Sequence, residues 1–79
     1  LGGNLNREEI ERILKNAGWR PTVSAPPEVV DYQTSTPKYN RIILFSYQFP
    51  RVTEEALREL MRTEPTGEER IKVLRKYDL

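Results

Sequence analysis

The sequence predicts a small α+β domain, a two-layer sandwich of helix, hairpin, helix and third strand in the order αββαβ. Three observations predict it. A capping box heads an amphipathic stripe near the N-terminus; two β-rich runs flank a proline-containing turn in the middle; and a second capped helix follows at Thr53. At 79 residues the chain makes one domain, residues 1–79, with residues 1–4 read as a scar or linker before it. A chain of this size buries only about 60% of the surface its unfolded form exposes, which leaves little interior for an enclosed active site.

The first helix begins at Arg7. Asn6 and Glu9 have the spacing of a capping box, and Leu5 and Ile10 that of a hydrophobic staple across it. Ile10, Ile13, Leu14 and Ala17 then recur on one helical face. Gly18 supplies the left-handed residue that ends a helix, Trp19 folds back as a lid on the core, and Pro21 prevents continuation.

Residues 20–27 hold three prolines and read as a connector with at most a short edge strand. Residues 28–34 alternate, with Val30, Tyr32 and Thr34 on one face and Val29, Asp31 and Gln33 on the other, as an edge strand would. A turn at residues 35–38 leads to residues 39–49, rich in aromatic and β-branched side chains and the strongest strand in the chain. Pro50 stops it. Thr53 caps a second helix to about Arg62, with Glu54 and Glu55 at the positive end of its dipole and Val52 placed to staple onto Leu57.

The tail from Glu68 supports two readings. Ile71, Val73 and Tyr77 alternate as a third strand, which would give the sheet its usual minimum; Thr66 and Glu69 have capping-box spacing and would start a helix, making the order αββαα. The strand is preferred here. The order αββαβ is that of a ferredoxin-like half lacking its first strand, a fold that hosts many functions and implies none.

Composition excludes much chemistry. With neither Cys nor His there is no thiolate, no imidazole base and no Cys/His zinc site. Ser24, Ser35 and Ser46 lack a nucleophile setting, the four glycines form no phosphate loop, and no cation-loop spacing occurs. Glu8, Glu9 and Glu11, and likewise Glu54, Glu55 and Glu59, read as helix-dipole and solvated-face residues. We expect no enzyme, no cofactor and no metal. Thirteen basic residues against twelve acidic ones give a net charge of +1, which argues for no strongly charged partner. The longest apolar run, Ile42 to Phe45, is far too short for a bilayer span, so the expectation is an intracellular, cytoplasmic protein without a membrane partner.

The informative segment is Ile42-Ile43-Leu44-Phe45, apolar on both faces of its strand, because two helices can cover only one side. With the aromatic face inward, Ile42 and Leu44 point outward and form the protein-binding pair of an interaction or assembly module that binds another protein or itself. The connector or the tail could instead cover them. The opposite packing displays Phe45 and Tyr47, with Tyr32, for single-stranded nucleic acid. Lys38 and Arg41 would supply its basic rim, along with Arg20, Arg51, Lys72, Arg75 and Lys76.

Overall fold

The computed structural model describes residues 3–35, 40–63 and 67–79. They form a small α+β domain with three α-helices and a three-stranded antiparallel sheet. In chain order the elements are α1 (Arg7–Asn16), β1 (Arg20–Pro21), β2 (Val29–Gln33), β3 (Arg41–Phe45), a 3-10 turn (Phe49–Arg51), α2 (Glu54–Arg62) and α3 (Glu68–Lys76). Residues 36–38 of the expected turn and the Thr66 cap lie outside the described residues.

Local sequence accounts for the ends of the first two helices. Asn6 accepts from the Glu9 amide at 2.9 Å and the Glu9 carboxylate accepts from the Asn6 amide at 3.1 Å, closing the capping box of α1. At its other end the Trp19 amide donates to Leu14 (2.9 Å) and the Gly18 amide to Lys15 (3.0 Å), the paired bonds of a Schellman motif. Gly18 sits at φ 90°, where an L side chain is strained. Trp19 is thereby turned into the core, 5% exposed. Thr53 caps α2 by accepting from the Ala56 amide at 3.2 Å, and the staple residues Val52 and Leu57 are fully buried.

The sheet order is β1-β2-β3, so β2 is the central strand and not an edge. Arg20 and Pro21 pair with Gln33 and Tyr32, and the edge position suits a proline, which has no N–H to offer a further strand. The third strand therefore comes from the connector, and the tail is the helix α3. Helical spacing explains the change: Arg70, Val73, Leu74 and Tyr77 are the half-buried residues between Glu68 and Tyr77, one face of a helix, while Ile71 is 47% exposed. Glu68 and Glu69 in its first turn and Arg75 and Lys76 in its last match the helix dipole. The observed order thus keeps the αββαα alternative and adds a short strand.

The core lies between the sheet and the helices. Ile10, Leu14, Leu57 and Leu60 meet Val30, Tyr32, Ile42 and Leu44, with Val73 and Leu74 partly buried against them. Ile42 and Leu44 are 2% and 1% exposed, so the outward placement expected for them does not occur. The register gives the reason. Val30 is opposite Leu44 and Tyr32 opposite Ile42, so these four share a face; Asp31 and Arg41 share the other with Ile43 and Phe45. Packing that second face under helices would bury two charged groups.

Two measurements follow. Leu44→Ala is expected to lower unfolding free energy by about 2–5 kcal/mol, and Ile42→Glu combined with Leu44→Lys to abolish folding, as read by denaturant titration and circular dichroism. Gly18→Ala, with nothing within 4 Å of the added methyl group, should cost about 1–2 kcal/mol from backbone strain alone.

Candidate functional site

The face of the sheet opposite the helices is divided. On the β2 side, Val29 and Asp31 are 9% and 7% exposed, and the segment after β1 is tied to this strand at both ends: the Thr22 amide donates to Asp31 (2.8 Å) and the Val29 amide to Pro26 (3.0 Å). On the β3 side, Ile43, Phe45 and Tyr47 stand 43%, 42% and 72% exposed. The rings of Phe45 and Tyr47 stack with centroids 5.6 Å apart and planes 3° from parallel. Tyr47 joins this ridge from outside the strand. The Gln48 amide donates to the Phe45 carbonyl (2.7 Å) and the Gln48 Oε1 accepts from the Phe45 amide (3.0 Å), which turns the chain four residues before the expected strand end.

Asp31 and Arg41 form the electrostatic element of this face. Arg41 Nε donates to Asp31 Oδ1 at 2.8 Å and a second guanidinium nitrogen bonds Oδ2, a bidentate pair diagonal across the two strands. This contact holds the Asp31 carboxyl below the ordinary aspartate range, against burial, which pushes it up.

A polar clamp holds the helices against the start of β3. Arg70 of α3 donates to the Arg41 carbonyl, to Asn40 Oδ1 and, from Nε at 3.1 Å, to the Thr63 hydroxyl. Asn40 donates in turn to the Thr63 carbonyl and, at 3.4 Å, to that of Met61, satisfying carbonyls at the C-terminus of α2. Glu59 and Lys76 add a 3.0 Å ion pair between α2 and α3 that lowers the glutamate pKa and raises that of the lysine. Beside the clamp, a groove of 190 Å³ between β3 and α3 is walled by Ile43, Phe45, Gln48, Leu60, Arg70 and Leu74.

The residues expected to bind are thus dispersed. Ile42 and Leu44 are core. Tyr32, expected on the displayed face, is 3% exposed under the helices, where burial raises its pKa. Arg41 is engaged with Asp31, Lys38 lies outside the described residues, and Phe45 and Tyr47 are displayed together. Ile43, Asn40, Gln48 and Arg70 are not among the residues that the sequence pattern singles out for this surface. The parity of Asp31 and Arg41 could have placed Ile43 outside; nothing local distinguishes Arg70 from an ordinary surface arginine.

A depression of 680 Å³ between the N-termini of α1 and α2 has Glu9, Glu54, Glu55 and Arg58 in its wall. Two of its three carboxylates are already used: Glu9 closes the capping box and Glu54 pairs with Arg58 at 2.9 Å. Among the described residues there is no cluster of acidic side chains able to hold a metal ion, and no helix long and apolar enough to cross a membrane. Comparison with family models, with curated proteins and with solved structures returned no match to the chain.

The Asp31–Arg41 pair makes stability depend on pH. Because the folded-state pKa of Asp31 is depressed, its contribution is complete above about pH 4 and is lost as pH falls further, toward the folded pKa. Arg41→Met should therefore lower stability at neutral pH and flatten the acid limb of a stability-against-pH curve, measured by urea unfolding between about pH 2 and 7.

Proposed function

We propose that this chain is a non-catalytic assembly module that associates with a second copy of itself through the open face of its sheet. The observation that carries this is the ridge of Ile43, Phe45 and Tyr47, three large apolar side chains displayed on the face that the helices leave uncovered. Contiguous apolar surface of this kind is what association buries. Two such sheets can pack face to face, about 10 Å apart, with the helices outermost on each side.

Magnitudes set the expected strength. Full burial of one such side chain is worth roughly 1.5–3 kcal/mol; Ile43 and Phe45 are already more than half covered and Tyr47 less so, which leaves about 1 kcal/mol each on average. Six of them across a two-fold contact give about 6 kcal/mol before association costs of at least about 4. The dimer is therefore very weak: a net gain of no more than about 2 kcal/mol corresponds to a dissociation constant on the order of 30 mM, tighter only where edge contacts add to it.

A second reading rests on the parallel, stacked Phe45–Tyr47 pair, whose outer ring face is a platform on which an unpaired base could stack. With Tyr32 buried and Arg41 engaged with Asp31, that platform lacks two of its expected contacts, and self-association is the better supported use of the face.

A concentration series followed by NMR up to several millimolar protein should show shifts at Ile43, Phe45 and Tyr47 from a weak monomer–dimer equilibrium that Tyr47→Lys weakens at least tenfold, with unfolding free energy changed by no more than about 0.5 kcal/mol. A chain that is monomeric throughout but binds a short single-stranded RNA with steep salt dependence would transfer the function to the second reading.

A further inference from the structure

The edge of β3 has a separate property. Its phase is set by two bonds: the Thr34 amide donates to Asn40 (3.0 Å) and, across β2, the Thr22 amide donates to Asp31 (2.8 Å). In an antiparallel ladder of this phase, Ile42 and Leu44 direct their backbone groups to β2, while Arg41, Ile43 and Phe45 direct theirs to the side with no neighbouring strand among the described residues. Such an edge is a template for another strand.

Here it is occupied at both ends by the chain itself. The Arg41 amide donates to Asn40 Oδ1 (3.0 Å) and the Arg41 carbonyl accepts from Arg70; the Phe45 amide and carbonyl both bond Gln48, through Oε1 and the backbone amide. Between these two ends lies Ile43, whose N–H and C=O face the same edge. The Gln48 side chain stands where the carbonyl of an incoming strand would accept from Phe45.

We infer that β3 is an acceptor edge latched by Gln48 and by Asn40 with Arg70, and that the strand it accepts when Gln48 is displaced is β3 of a second copy. The pairing is antiparallel, with Ile43 opposite its symmetry mate. The occupant follows from the strand's own character. A two-fold contact requires a self-complementary surface, and the open position of this edge is the middle residue of a five-residue strand. In that register Arg41 of each copy faces Phe45 of the other, so the strand's single charge meets a ring and the two arginines are held apart. A parallel or shifted pairing loses one or both of these features. The contact uses the edge and not the face, and so stands independently of the ridge.

The test is made in the Tyr47→Lys background, where association through the face is already weakened. Gln48→Ala removes the latch acceptor and should tighten self-association at least tenfold by sedimentation, while Gln48→Glu, which retains an acceptor for the Phe45 amide, should not. Amide hydrogen exchange should show Ile43 becoming protected on association. Should the alanine variant fail to fold, Gln48→Met opens the same latch with the side-chain volume retained. A folded opened variant that stays monomeric, or one that associates with the Ile43 amide unprotected, overturns the inference. Failure of Tyr47→Lys to weaken the parent chain's association would overturn the face reading alone, because the latch is read from the alanine-to-glutamate difference.

Discussion

Side chains leave a β-strand in opposite directions at successive residues, and the helices of this domain all pack against one face of its sheet. That pair of constraints decides the rest. Once Val30 and Tyr32 are under the helices, Ile42 and Leu44 must follow, because they stand opposite them in the register. Ile43 and Phe45 are then committed to the other face whatever their hydrophobicity. The exposed ridge is the consequence of a strand apolar on both sides in a domain with helices on one.

The choice between the two faces is electrostatic. Asp31 and Arg41 share their parity with Ile43 and Phe45, and placing them against the helices would remove both charges from water without a surplus of hydrogen bonds to compensate. On the open face they pair across the strands, with Asp31 buried and Arg41 still partly in solvent. The same principle governs the clamp at the other end of β3. Arg70, half-buried, donates its guanidinium hydrogens to neutral oxygens of two separate segments, the start of β3 and the end of α2, and so locks α3 to both.

Much of the local structure was legible because its causes are local. The Asn6 and Glu9 capping box, the left-handed Gly18 with Trp19 folded after it, the Thr53 cap and the Val52–Leu57 staple depend on residues at most five apart, and each occurs where its spacing places it. The tail was read as a strand because Ile71, Val73 and Tyr77 alternate; the half-buried set Arg70, Val73, Leu74 and Tyr77 shows that the 3.6-residue period prevails. The end of β3 was misplaced for another reason. Gln48 folds back onto Phe45, a side-chain bond that competes with the ladder and that no propensity records.

What the sequence determined by itself was the inventory: caps, stops, one strand apolar on both faces, and the absence of every Cys- or His-based chemistry. Only the tertiary structure decided which side of that strand is interior, where the third strand comes from, and that Arg70 and Gln48 close the two ends of the edge. Caps and stops act within a turn of helix, whereas a strand's face and a sheet's edge are defined by residues tens of positions away, and their energies exist only once those residues are brought into contact.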